Sequence, residues 1–212
     1  MFIYLDTVKD MPKAGITVKG EAKREKILRK ALHLFNKYGV ERIGTREVAR
    51  ALKMRAGHVT YYFPDKDSLV LALGLELRAL NDGVQLDATV ASVDELIVRF
   101  EQVMRNHIAY RGLVLSMARI LSALAQTRAE YQSIQEGRLL GIRACLQGLV
   151  ANGLLVPLTR VQQEFLVSCI SLISRGWMVE SLAGGYDLEE RIPHYLGLIR
   201  GLLWTYSMPS SG

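Results

Sequence analysis

Apolar residues recur along this chain at intervals of three and four, and no stretch alternates as a strand would. From Glu21 onward, Ile27, Ala31, Leu34, Phe35 and Tyr38 fall on one helical face, and Gly39 supplies a left-handed stop. The run TREVARAL (45–52) predicts a short helix capped by Thr45 that buries Val48, Ala49 and Leu52. Pro64 breaks the chain, and Asp65 caps a helix to residue 82 with Leu69, Val70, Leu73, Leu77 and Leu80 on one face. Ser92 and Glu95 form a capping-box pattern ahead of Leu96, Ile97, Phe100, Val103 and Met104. Residues 113–126 are apolar nearly all round, which predicts a helix buried on most sides. A long helix over about 128–151 ends near Asn152, Gly153 and Pro157. Thr159 and Gln162 repeat the capping pattern for a helix to about Leu182, which Gly184 and Gly185 break. Asp187 then opens a last helix that runs through Trp204 to Tyr206, with Pro193 placed to kink or separate its first turn. The fold class is all-α.

The first twenty residues keep no period and are punctuated by Pro12, Gly15 and Gly20. The expected organisation is a mobile arm over 1–20, a small helical domain over 21–66 and a larger one over 67–212. Half of the 212 residues are apolar and 23% are charged, which is a globular composition. Cys145 and Cys169 cannot support a disulfide framework and read as reduced, buried thiols. The opening MFIYL meets Asp6 and Lys9 at once, too soon for a leader peptide, and Arg119 interrupts the apolar run 113–125. The expectation is a cytoplasmic protein with no membrane partner.

Charge sharpens the division. Residues 1–66 carry 15 Lys and Arg against 7 Asp and Glu, and residues 67–212 carry 12 against 14, so +8 and −2 make up the net +6. Every lysine lies at or before Lys66. Either a small domain has a basic surface by chance, or a polyanion-binding module is joined to a near-neutral body.

A helix over 45–52, a four-residue turn and a short segment from Gly57 have the spacing of a helix-turn-helix, which holds its second helix across a major groove. On a helical wheel Val59 and Phe63 share the inward face, while Ala56, Gly57, Thr60 and Tyr61 share the outward one. Small residues at the start of that helix permit close approach to a phosphate, and the Thr60 and tyrosine hydroxyls can donate to phosphate oxygens.

Residues 25–70, EKILRKALHLFNKYGVERIGTREVARALKMRAGHVTYYFPDKDSLV, resemble the DNA-binding region of TetR-type transcriptional regulators. LFNKYG closing a helix, TREVA opening the next, the glycine of the short helix and YYF-x-x-K after it match in order, over about a fifth of the chain. The resemblance implies a homodimer binding a palindromic double-stranded operator, with a helical C-terminal domain that dimerises and holds a small-molecule effector. It implies phosphate contacts for Thr45, Arg46 beside it, and Lys66. It places Arg55, Ala56 and Gly57 at the start of the recognition helix, and Thr60, Tyr61 and Tyr62 on the DNA backbone. Effector binding would change the spacing of the paired recognition helices, with helix 65–82 as the lever. The chain departs from the pattern at Lys53 (usually glycine), Arg55 (usually a serine cap) and Thr60 (usually tyrosine). Without that serine, Arg55 can turn to a phosphate or a guanine edge. His58 either reads a base or is a solvated surface histidine.

Arg24, Lys26, Arg29 and Lys30 form a basic face that is either solvated or on phosphate, and Lys9, Lys13 and Lys19 either lie on a disordered arm or reach a minor groove. In the C-terminal domain His107, Tyr110, Arg111, Met117, Arg119, Tyr131 and Trp177 are candidate ligand contacts, each also readable as an ordinary core or surface residue. Arg119 stands out, since a charge in so apolar a helix needs a partner. Gly137 with Gly141, and Gly197 with Gly201, are spaced for close helix approach. The stripe Leu196, Ile199, Leu203 and Tyr206, with Phe165, Ile170, Ile173 and Trp177, forms either a dimer seam of the two C-terminal helices or the subunit's own core.

No H-E-x-x-H, G-x-S-x-G, Walker loop or G-x-G-x-x-G occurs, and the four histidines are isolated. The sequence therefore predicts no enzyme, no catalytic residue and no metal or other cofactor. A ligand-responsive repressor is the leading reading. A helical protein-interaction module and a DNA-binding regulator without an effector are its rivals.

Overall fold

The computed structural model describes residues 18–123 and 125–208. The protein is all-α; among the described residues the extended pairing is an isolated bridge between Leu155 and Ser207. The chain divides into two compact units with the boundary between Ala72 and Leu73.

In the first unit α1 spans Val18–Tyr38, beginning before Glu21, so Lys19 stands exposed on a helix and not on an arm. Residues 1–17, with Lys9 and Lys13, lie outside the described residues. Gly39, at φ 84°, ends α1 as the periodicity predicts, and a single tight turn (Val40–Arg42) follows. α2 (Thr45–Ala51) corrects one expectation, since its cap is Gly44 and Thr45 is the first helical residue. The reason is Glu47, whose carboxylate reaches back to accept the Gly44 N–H at 2.9 Å and satisfies a donor at the helix start. α3 (Ala56–Tyr62) and the first turn of α4 (Lys66–Asp82) complete the unit. Ser68 N–H donates to Asp65 Oδ1 at 2.8 Å, so Asp65 caps α4 as expected. Ile27, Leu28, Phe35, Val48, Val59, Phe63 and Leu69 are all 2% exposed or less and form one core. Truncating Phe63 to alanine there would cost about 3–5 kcal/mol.

The turn from α2 to α3 places Lys53 at φ 55°, a left-handed conformation that glycine adopts without strain. Lys53 N–H donates to Arg50 O and Met54 N–H to Ala49 O, which pairs the last carbonyls of α2 and aims α3.

The second unit contains the rest of α4, then α5 (Val93–Ala109), α6 (Arg111–Leu115), α7 (Met117–Ala123), α8 (Ala125–Ala151), α9 (Arg160–Ala183) and α10 (Leu188–Trp204). Ser92 caps α5, Thr159 and Gln162 form the predicted box at α9, and Asp187 caps α10, which runs through Pro193 without a break. Phe100 and Met104 of α5, Leu146 and Leu149 of α8, Ile170 and Trp177 of α9, and Ile199 and Leu203 of α10 fill the core. By length and composition α9 could cross a membrane, but Leu166, Val167, Ile170, Trp177 and Met178 face this core.

The single helix expected over 113–126 is instead broken. Ser116 leaves helical geometry at φ −88°, ψ 1°, which turns α7 away from α6. Leu115, Ala118 and Arg119 are consequently exposed, and Arg119 is no buried charge. The connection 83–92 is pinned at both ends of its course. Arg99 holds Glu95 at 2.6 Å and Asp87 at 3.4 Å and donates to the Gln85 carbonyl. On the other side α8 admits the connection's backbone at Gly141 and Gly148, where a Cβ would stand 2.6 Å from Leu86 O and 2.5 Å from Ala88 O.

Candidate nucleic-acid interface and ligand cavity

α3 turns its apolar residues inward and everything else outward. Val59 (0% exposed) and Phe63 (2%) anchor it, while Arg55, Ala56, Gly57, His58 and Tyr61 are exposed, Tyr61 at 76%. Tyr62 is half-buried and meets Tyr61 edge to face with centroids 5.0 Å apart, which holds both rings in fixed orientation. A Cβ at Gly57 would meet nothing within 4 Å, so nothing inside the unit requires glycine there. Arg55 precedes α3 with an extended backbone and makes no side-chain cap, which leaves its guanidinium outward. Arg46 is exposed on α2, Thr45 is half-buried beside it, and Lys66 is half-buried at the start of α4.

Two side chains differ from their expected use. The Thr60 hydroxyl donates back to its own helix, to Ala56 O at 3.3 Å and Gly57 O at 3.4 Å, so it keeps only acceptor capacity for an outside group. Arg24 lies over the Phe63 ring at 5.0 Å from its centroid and seals the core end of α3. Arg29 pairs with Glu25 at 2.7 Å along α1, and Lys26 stays exposed.

The second unit encloses a cavity of about 360 Å³ bounded by the end of α4, the 83–92 connection, α5, α8 and α9. This is the small end of the range of ligand pockets, about 300–1,000 Å³. Arg78, Asn81 and Asp82 come from α4, Phe100, Val103 and His107 from α5, Ile134, Gly137, Arg138 and Ile142 from α8, and Ser171, Ser174 and Arg175 from α9. Of the ligand contacts expected from sequence, this wall includes His107 alone. Tyr110 is buried and donates to Glu76 at 3.1 Å, Trp177 belongs to the core, and Arg111 and Arg119 are exposed. Met117 and Tyr131 are half-buried, and the Tyr131 hydroxyl accepts from Arg138.

His107 is 5% exposed, and burial together with the nearby Arg138 charge pushes its pKa down to about 3. It is therefore a neutral imidazole at neutral pH, and its Nδ1 has no partner. Arg138 is itself held below the usual arginine range, mostly by burial and further by Arg175, against the opposing pull of Tyr131 and Asp82. Burial pushes the Cys145 thiol up to about 11, which makes it an inert core group. Arg138, Arg175 and Asn81 went unrecognised in the sequence because they lie on three separate helices with no motif between them. Gly137 was the nearest signal: its missing side chain lies in open space on the cavity wall.

Comparison with known proteins follows the same division. Residues 27–73 match the family described as bacterial regulatory proteins, tetR family, and residues 78–211 match a second model, TetR, described as a bacterial transcriptional repressor. A TetR-family transcriptional regulator from Marinobacter aquaeolei VT8 superposes with a TM-score of 0.80 at 21% identity, over 88% of this chain and 91% of that one. NalD, the secondary repressor of the MexAB-OprM multidrug efflux pump in Pseudomonas aeruginosa, gives 0.63 at 16% identity over 88% and 98%. SmeT in complex with triclosan gives 0.62 at 17% identity over 89% and 93%; SmeT is the repressor of the Stenotrophomonas maltophilia multidrug efflux pump SmeDEF. At these identities the structures speak for the fold. No curated protein matches the sequence.

Proposed function

The chain belongs to the TetR family of bacterial regulatory proteins, and from that premise we propose that it is a cytoplasmic, ligand-responsive repressor that binds a palindromic operator as a homodimer. The observation that carries this reading is α4. It begins at Lys66, shortly after α3 in the chain, and its last turns carry Arg78, Asn81 and Asp82 of the cavity wall. A ligand that favours one placement of those last residues over another biases the position of α3, and no further coupling is needed.

On this reading Arg46, Tyr61, Tyr62 and Lys66 hold the DNA backbone, Thr45 donates its hydroxyl to a phosphate, Thr60 packs beside the backbone, and Ala56 and Gly57 allow close approach. Arg55 and His58 stand where base edges are read. Repression follows more simply than activation, because occluding a promoter needs no added contact surface. The relatives point the same way, since NalD and SmeT are repressors of efflux pumps and SmeT takes a small molecule.

The test is fluorescence anisotropy with DNA from the promoter region beside the protein's own gene. Affinity should fall by on the order of a thousandfold between low and physiological salt, with a linear log–log slope. Tyr61→Phe combined with Lys66→Ala should weaken binding to all sequences about equally and flatten that slope. Salt-independent binding, or a double variant that binds as the parent does, would put a protein-interaction role in place of DNA.

A further inference from the structure

The cavity wall carries more positive charge than its carboxylates neutralise. Arg78 pairs with Asp82 one turn along α4 at 3.4 Å, and Asp87 is taken up by Arg99 and the Thr89 N–H and hydroxyl. Arg138 and Arg175 remain, with no carboxylate in ion-pair contact among the described residues. Asp82 acts on Arg138 only through space, and Arg175 opposes it. Arg138 rests against the Tyr131 hydroxyl, and Arg175 Nε donates to the Ser171 carbonyl at 3.2 Å. Arg175 is exposed and has the Gln135 amide oxygen 3.1 Å from Nη1, so water and neutral acceptors serve it, whereas the largely desolvated Arg138 gains most from a counter-charge.

A second observation lies on the α4 wall. Gln102 Nε2 donates to Asn106 Oδ1 at 3.0 Å, and Asn106 Nδ2 donates to Asn81 Oδ1 at 3.0 Å. One end of the Asn81 amide, Nδ2 in this arrangement, is buried without a partner, and so is His107 Nδ1. The wall thus presents two guanidiniums without a carboxylate in ion-pair contact, beside two buried polar atoms without a partner, and the guanidiniums favour an anionic oxygen acceptor. Phe100, Val103, Ile134 and Ile142 supply an apolar surface beside them.

We propose that this cavity binds a small organic anion, an ionised carboxylic acid whose carboxylate lies against Arg138 and Arg175 and whose apolar body lies on Phe100, Val103, Ile134 and Ile142. The proposal rests on the ligand-responsive reading above and names the class of its effector. Guanidinium groups meet a carboxylate with paired, charge-assisted hydrogen bonds, which a neutral or cationic ligand of the same shape cannot form. An organic cation would have to draw Asp82 and Asp87 from their present partners. A purely apolar ligand would desolvate Arg138 further without compensation.

The experiment is calorimetric titration of the full chain at neutral pH with phenylacetate and octanoate, against neutral phenylacetamide and cationic phenethylammonium. At least one acid should bind, at least about tenfold more tightly than the amide or the ammonium compound. Arg138→Gln and, separately, Arg175→Gln should each lose about tenfold or more of that affinity, and Arg138→Lys should recover part of it. Operator binding by the ligand-free variants should match the parent. The ligand class is overturned if neither acid binds at millimolar concentration, if the amide or the ammonium compound binds as tightly, or if both glutamine variants keep full affinity. A chain that binds the acid with the expected arginine dependence but binds no DNA would leave the ligand class standing and overturn the regulator reading.

Discussion

Asn106 Nδ2 donates to Asn81 Oδ1 at 3.0 Å and so ties the buried side of α5 to the last turns of α4. Asn106 is 7% exposed, and without Asn81 its Nδ2 donor would be left buried and unpaired while Oδ1 keeps Gln102. Asn81→Ala should therefore lower unfolding free energy by about 1–3 kcal/mol. In the double variant with Asn106→Ala the penalties should fall short of additive by about 1 kcal/mol, because the orphaned donor is then gone too. Urea denaturation of the four proteins in this cycle measures the difference. Strict additivity would mean that the bond contributes nothing to the junction.

His107 makes stability depend on pH in a defined direction. Its folded pKa of about 3 lies below the ordinary 6.5, so between those values the unfolded chain binds a proton that the folded one does not. Stability is then fully present above about pH 6.5 and is lost as pH falls toward 3, with a slope of at most about 1.4 kcal/mol per pH unit. Asp87, held low by Thr89, and Glu95, held low by the Ala91 N–H, push in the same direction at lower pH, so the comparison must be with a variant. Replacing His107 with glutamine should remove about 1–2 kcal/mol of the loss between pH 6.5 and 5. Equal pH profiles for the two proteins would show that the imidazole takes up its proton as readily in the fold as in the unfolded chain.

At Gly57 stability and binding should separate. The position is exposed, has ordinary helical backbone and leaves open space where a Cβ would go. Alanine there should stabilise the unit by about 0.5–1 kcal/mol through helix propensity. The same methyl group projects from the face assigned to DNA and should weaken operator binding severalfold or more. Thermal melting and anisotropy on one preparation give both numbers; unchanged affinity would remove Gly57 from the interface.

The first unit was legible in sequence where its determinants are local. The spacing from Val48 through Phe63 fixes both the inward face of α3 and the place of the turn, within sixteen residues. The Gly44 cap was missed because a glutamate three residues on, and not the threonine in line, supplies the oxygen. Lys53 shows that a lysine can hold a left-handed position that glycine would take more easily, since two backbone bonds close around it. In the second unit the apolar run 113–126 hid a break, because hydropathy does not register the backbone turn at Ser116. The cavity was illegible for a different reason. Arg138, Arg175 and Asn81 are brought together only by the packing of α8, α9 and α4, and each looks like a surface residue in its own helix.

Both of the last two helices are apolar on more than one face, which is why their sequence left the dimer seam and the core interchangeable. The structure buries Ile170, Trp177, Leu196, Ile199 and Leu203 within the subunit. Left outward are Phe165, Leu172 and Val179, seven residues apart along α9, and Leu198 and Trp204 on α10. Gly197 and Gly201 lie open between them, with nothing within 4 Å of a Cβ at either, so a partner helix can approach closely. Leu172 occupies the middle of the α9 row, and a two-fold axis would use it twice. Losing two such side chains removes about 4 kcal/mol, or roughly a thousandfold in dimer affinity, before any charge is buried. Leu172→Glu should therefore yield a helical monomer at micromolar concentration by sedimentation velocity, with operator affinity falling in parallel, while Leu172→Met should remain dimeric. Because Leu172 is 62% exposed in the subunit, the glutamate variant should keep its far-ultraviolet circular dichroism. A glutamate variant that still sediments as a dimer would place the seam on another face.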